Sequence, residues 1–470
     1  MTISSDKVVI IGAGPAGVAC SYALGKEGQS SLVIEKNTNI GGLCQTIDFN
    51  GYLFDIGGHR FLSKSKIIND LWNRIMKSDL LRVERLSRIF YRKKFFDYPL
   101  SFFNTFWNLG AVESAQSIAS YLYARIARDA DDNTFEGWII NRFGKRLYRI
   151  FFKSYTEKIW AMSCNNISAD WAAQRIKGLS LRVAIKTALL RNKKTTPTTL
   201  AQSFLYPRRG PGEFFNNLAQ VAAKHGARFE REKIVTGIKH DSGRILSVEV
   251  KHTNCHGKEE IPVEYLFSSI PLPCFIKSLI PPPPIDVIDA ASRLNFRSYI
   301  AVNVVINKEN IFPDQWIYIH SPEVRLGRIQ NYKNWSPAMV VDPKKTTLGL
   351  EYFCTEGDNF WKMSDFNLID YAVGELERTG IVSRKHLITG FVVRRSEVYP
   401  VYCLDYHKHL QVVRSYLDQF SNFQPIGRAG LFRYCNSDYA MLTGIFAAKN
   451  FLEKISYDIW KLGAEQEYFE

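Results

Sequence analysis

Three glycines, Gly12, Gly14 and Gly17, stand as G-x-G-x-x-G, and a carboxylate, Glu35, follows eighteen residues after the last of them. That set can recognise a dinucleotide. Gly12 permits a tight turn, Gly14 lets backbone approach a pyrophosphate, and Gly17 lets a helix pack closely. Pro15 and Ala16 then sit at the helix mouth, where backbone N–H groups meet an anion. Glu35 can accept from both hydroxyls of a ribose, and an acid at that point argues against a 2′-phosphate. Lys36 adjoins it, and Gly41, Gly42 and Leu43 mark a further close approach of backbone. A second stretch, "GYLFDIGGHRFLS", sets His59 after the pair Gly57–Gly58. Alone, that histidine could equally cap a turn or sit satisfied in a core.

These groups need a frame. "KVVIIGAGPAGVACSYALGKEG" reads as a β-branched strand, a glycine turn and an Ala-rich helix, and "SSLVIEK" as the next strand. The fold class expected is α/β, with a Rossmann-like, glutathione-reductase-type dinucleotide domain assembled from 1–100, 201–280 and 400–470. A mainly helical insertion covers 101–200 and an antiparallel-sheet insertion 285–399, with Pro281–Pro284 as a rigid connector. The composition is globular, 46% apolar and 23% charged, and the formal charge of +15 favours anionic partners. No run of eighteen apolar residues occurs and Met1–Lys7 is short and polar, so a cytoplasmic protein is expected. Eight cysteines without a C-x-x-C predict reduced, buried thiols and no metal site.

The opening "VVIIGAGPAGVACSYAL…VIEKNTNIGGLCQT" and the closing "IGRAGLFRYCNSDYAMLTGIFAAKNFL" resemble the FAD-binding ends of the amine oxidase, phytoene desaturase and protoporphyrinogen oxidase superfamily. The resemblance implies non-covalent FAD. It places Gly427 and Arg428 beside the pyrophosphate, Asp438 near the ribityl chain and the backbone of Val235 against adenine. Further stretches resemble UDP-galactopyranose mutase: "DIGGHRF", "YTEKIW", "QRIKGLSLR", "RLGRIQNYKNW", "EVYPVY" and "GRAGLFRYC". They imply that Gly58 and His59 lie at the flavin ring and that Trp160 packs beside a sugar. They also imply that Arg175 and Arg328 clamp a diphosphate, with Tyr399 and Tyr434 near the substrate.

Two guanidiniums with tyrosine hydroxyls suit a diphosphate, and an aromatic wall suits a pyranose. By helix spacing alone Trp160 is a core residue, and Tyr399 beside Pro400 is as readily a packing residue. The sequence departs from the family at Cys435, Asn436 and Asn331, which replace a tyrosine, an acid and a glutamate. The implied activity is isomerisation of a nucleotide-diphosphate sugar through an adduct at N5 of reduced flavin. His59, Arg175 and Arg328 are the residues implied to serve it. The alternative is an FAD-dependent oxidase or desaturase of an apolar or amine substrate. A nucleotide sugar, a peripheral membrane contact and a second copy of the chain are the expected partners; nucleic acid is not. The stretch "RVERLSRIFYRKKFFDYPLSFFNTFW" reads first as sheet with basic residues towards phosphate, and alternatively as a membrane-surface patch.

Overall fold

A computed structural model describes residues 8–127, 130–176, 202–254 and 257–462. Its parallel sheet runs in the order Phe423–Pro425, Tyr265–Ser268, Val8–Ile11, Ser31–Ile34, Ala227–Glu230. The two N-terminal strands, VVII and SLVI, are buried at every position. Helices cover both faces of such a sheet, which is why these strands read as continuous apolar runs. Helix Pro15–Lys26 packs on Ser437–Glu453 so closely that a Cβ on Gly444 would stand 2.1 Å from the Ala16 carbonyl oxygen. Chain segments more than four hundred residues apart therefore meet at the glycine-turn end of the sheet.

Two further sheets flank it. Lys233–Asp241, Arg244–His252 and Lys258–Pro262 form an antiparallel meander that Leu279–Ile280 joins in parallel. Pro281–Pro284 leads from there into helix Ile285–Ser292, which Pro284 precedes as N-cap. The larger sheet has seven strands: Leu387–Pro400, Phe296–Ile306, Thr346–Cys354, Arg328–Asn331, Trp316–Ile319, Ser87–Tyr91 and Lys94–Asp97. It departs from the expected antiparallel pattern at one joint, where Trp316–Ile319 runs parallel to Ser87–Tyr91. These two strands are more than two hundred residues apart, so no hairpin turn dictates their direction. The last two strands also come from before residue 100, upstream of the expected boundary.

Helices Phe102–Leu109, Ala111–Ala127, Phe135–Phe143, Ser154–Trp160 and Ala169–Ile176 account for most of the described part of the helical insertion. The basic stretch forms strands up to Asp97 and helix from Phe102, and its Arg88 is turned to a buried acid and not to a free anion site. Arg88 pairs with the fully buried Asp314 through two hydrogen bonds of 2.9 and 2.6 Å. The seven described cysteines are free thiols.

Candidate active site

A cleft of about 490 Å³ opens where the glycine turn meets the seven-stranded sheet. Gly12, at φ +95°, makes the turn, and a Cβ there would stand 2.3 Å from Ser269 Oγ. Gly17 faces inward instead: its Cβ would lie 1.9 Å from the Gly12 carbonyl oxygen, so it serves packing and not the cleft wall. Gly42 approaches Gly14 so nearly that a Cβ would come within 3.0 Å of its Cα. Gly41 stands behind, its N–H donating to the Ala13 carbonyl at 2.8 Å. Gly14, Pro15, Ala16, Gly42 and Leu43 thus leave a backbone cradle at a helix N-terminus.

Glu35 ends the next strand inside this wall. One of its oxygens accepts from Ala13 N at 2.8 Å, the other from Asn37 N and Nδ2 at 2.9 and 2.7 Å. The first keeps acceptor capacity for a ribose hydroxyl. Lys36, Val235, Cys274 and Glu397 continue the wall beyond it.

Two guanidiniums line the same cleft without a carboxylate partner among the described residues. Arg428 donates from Nε and Nη2 to the Cys435 carbonyl at 3.0 and 2.6 Å and lies 4.8 Å from the centre of the Tyr434 ring. Arg395, from the strand Leu387–Pro400, donates to Gln45 Oε1 at 3.1 Å. Glu35 lies near enough to act on Arg395 electrostatically, while tyrosines and cysteines and no carboxylate act on Arg428 among the described residues, so the pair leaves positive charge in the cleft that suits an anion. An open glycine cradle, a ribose-ready carboxylate and these cations fit the pyrophosphate half of FAD. At the other end His59 Nδ1 is buried without a partner among the described residues, available to a ring system. Burial pushes the His59 pKa down to about 3, and Arg428 and Arg328 add to the effect, so His59 is neutral at working pH. Its position is held two residues on, where Phe61 stacks on Trp72 at 4.0 Å and Trp72 on Phe214 at 3.8 Å.

Sheet register builds the opposite wall. Tyr318 pairs with Arg328 and Arg328 with Glu351 across three adjacent strands. Arg328 lines the cleft, its Nε donating to Glu351 Oε2 at 2.5 Å and its Nη2 to Tyr399 Oη at 3.4 Å. Glu351 is fully buried and also accepts from Gln330 Nε2 at 2.8 Å. A Cβ on Gly57 would lie 3.6 Å from both Glu351 Oε1 and His59 Cε1, so this ion pair backs onto the histidine turn. Tyr399 stands behind Arg328, its ring stacked 5.7 Å from that of Tyr434, and Tyr434 lines the cleft.

Trp160 is placed differently from the expectation, and Asp438 stands one layer behind the cleft wall. Trp160 sits in the helical core against Trp171, with ring centres 4.7 Å apart, and not on the cleft wall. Asp438 is buried at the start of Ser437–Glu453 behind Ser437 and Ala440, which line the cleft; burial pushes its carboxyl up to about 6. The side chain of Arg175, near the end of helix Ala169–Ile176, lies outside the described residues.

The "YTEKIW" segment works as a strap. Lys158 Nζ donates to the carbonyls of Ile319, Ser321 and Leu326 at 2.9, 3.0 and 3.0 Å. Ser154 Oγ donates to the His320 carbonyl at 3.0 Å, and Tyr155 stacks on the His320 ring at 4.4 Å. The loop it binds ends at Arg328. Sequence reading missed Ser269, Cys274, Tyr318, Arg395 and Glu351. For Glu351 a signal existed: one acid in the otherwise uncharged run "TTLGLEYFC".

The family described as NAD(P)-binding Rossmann-like domain matches residues 10–75. A crystal structure of reduced UDP-galactopyranose mutase is similar over 99% of this chain and 100% of that one, with TM-score 0.84 and 19% identity. Wild-type putrescine oxidase bound to putrescine is similar over 95% and 99%, with TM-score 0.61 and 16% identity. Phytoene desaturase of Phycomyces blakesleeanus is 46% identical over 55 residues, 12% of this chain and 9% of that protein. Matches to the first curated relatives span about half of their lengths or less. The chain therefore shares its fold with the UDP-galactopyranose mutase and putrescine oxidase structures, as the resemblance implied.

Proposed function

We propose that this protein is an FAD-dependent enzyme that isomerises a nucleotide-diphosphate sugar without net redox change. The observation that carries the reading is Arg328: a guanidinium on the cleft wall, held by Glu351 and Tyr399 and backing onto the His59 turn. Held from both sides, it meets a leaving diphosphate without reorganising, which is where preorganised charge stabilises a transition state most. Bound FAD in its reduced form supplies an electron-rich ring nitrogen able to attack an anomeric carbon. Gly12, Gly14 and Gly42 hold its pyrophosphate, Glu35 its ribose, and Arg428 and Arg395 balance its charge. His59, neutral and only weakly basic, orients the ring through hydrogen bonding.

A second reading, oxidation of an apolar or amine substrate, draws support from the same Arg328. Its charge is already balanced by Glu351, which weakens its pull on an anion. One experiment separates the two. Dithionite-reduced protein is incubated anaerobically with UDP-, dTDP- and GDP-sugars, and products are separated by chromatography. A new nucleotide-sugar isomer with the flavin still reduced supports the mutase. Absence of both isomer and nucleotide-sugar binding would sink it in favour of the oxidase.

A further inference from the structure

Helix Ala111–Ala127 turns most of its apolar residues outward. Its buried positions are Ser114, Ser117, Tyr121 and Ala124, two of the four being serines, and Ser117 Oγ is buried without a partner among the described residues. Its exposed positions are Ala111, Val112, Ala115, Gln116, Ile118, Ala119, Leu122, Tyr123 and Ile126, one polar residue among nine. Val112 is 73% and Ile126 86% exposed. The preceding helix, Phe102–Leu109, adds Phe103 and Trp107, the latter 77% exposed. An amphipathic helix ordinarily turns its apolar stripe to the core. Here the stripe faces outward over six helical turns in two consecutive helices.

Cations frame it. The hairpin tip Arg92–Lys93–Lys94 is exposed and lies against the first helix, Lys94 Nζ donating to the Asn108 carbonyl at 2.7 Å. The acid that flanks the stripe, Glu113, is engaged by Arg146, whose Nη2 donates to it at 2.8 Å. Exposed Lys145 precedes Arg146, whose backbone N also donates to Ser120 Oγ of the second helix at 3.1 Å. Apolar and aromatic side chains within a basic rim match the surface of an anionic bilayer, apolar groups at the acyl boundary and cations at the headgroups. A second copy matches less well. It would bring like-charged rims together on chains that each carry a formal charge of +15.

We infer that the outward face of Phe102–Leu109 and Ala111–Ala127 docks the protein on an anionic lipid surface. The flavin-loaded full chain is sedimented with phosphatidylcholine vesicles, with and without about one third phosphatidylglycerol, at low and high salt. Binding is expected to the anionic vesicles, weakened by salt. It should fall at least about tenfold in Trp107→Glu/Ile126→Glu, since each buried methylene contributes to such anchoring. Phe366→Glu, an equally exposed apolar position on helix Asp365–Thr379, should change nothing. Should the double variant misfold, brominated acyl chains provide the readout: they should quench tryptophan emission in the parent protein and much less in Trp107→Phe. No preference for anionic vesicles, or binding untouched by the double variant and by Trp107→Phe, overturns the inference. So does a dimer in lipid-free buffer that the double variant splits, which assigns the face to a second copy.

Discussion

Arg328→Ala should separate two consequences of one side chain. The substitution removes the cation that Glu351 touches and leaves a fully buried carboxylate with the Gln330 amide as partner. Two unit charges about 4 Å apart interact by roughly 4 kcal/mol at an effective dielectric near 20. Breaking a buried pair by removing one member costs about 3–5 kcal/mol, since the other charge stays uncompensated. A loss of about 3–4 kcal/mol is therefore expected, a large part of the roughly 5–15 kcal/mol that holds a typical fold together. Adding Glu351→Gln to the variant removes the stranded charge and keeps an acceptor for Gln330, so at least half of the loss should return. Binding of UDP should not return, because the cation on the cleft wall is absent from both variants. The measurements are urea unfolding at a fixed saturating FAD concentration, so that ligand linkage is constant, and titration calorimetry with UDP. A loss below about 1 kcal/mol in Arg328→Ala, or no recovery in the double variant, would refute the claim that the pair is a desolvated, mutually dependent unit. Recovery of UDP binding along with stability would refute a separate role on the cleft.

Three further outcomes follow from the same geometry. Gly14→Ala has open space, its nearest neighbour Gly42 Cα at 3.9 Å, so the fold should persist while FAD content drops; Gly17→Ala, whose Cβ meets backbone at 1.9 Å, should lower the melting temperature as well. Equal melting temperatures for the two would contradict this assignment. Glu35→Ala removes the acceptor of Ala13 N and the ribose carboxylate together and should release FAD on gel filtration; retention of full flavin absorbance would show that Glu35 is dispensable. Burial pushes the Asp55 carboxyl from 3.8 to about 7 against the opposing hydrogen bonds from Tyr206 and Thr46. The folded state then binds the proton more tightly, so the contribution is full below pH 4 and is lost as pH rises through 7. The stability of the parent relative to Asp55→Asn should fall by up to roughly 4 kcal/mol over that range, at 1.36 kcal/mol per pKa unit, and a flat difference would count against it.

The glycine cradle of the cleft and Glu35 were legible in the first 43 residues. Strand, glycine turn, helix and second strand are contiguous there, so spacing along the chain is nearly spacing in space. Gly12, Gly14, Gly42 and Glu35 sit on one cleft as that local geometry requires. Gly17 belongs to the same motif and yet faces the strand, as its packing role requires. The fold class was also contained in the sequence, because β-branched runs and an Ala-rich helix differ in period. The wall formed by the seven-stranded sheet was not legible in this way. Tyr318, Arg328 and Glu351 come from three strands that only the register of the seven-stranded sheet aligns, and register is set by packing over the whole sheet. The motif around Trp160 carried its message in Lys158, whose three carbonyl partners lie more than 160 residues away. Side-chain type and spacing determined what could bind a dinucleotide. Which arginine is balanced by a buried acid, which tryptophan is core and which helix turns its apolar face outward were decided by tertiary contacts, because burial is a property of the assembled chain and not of any one segment.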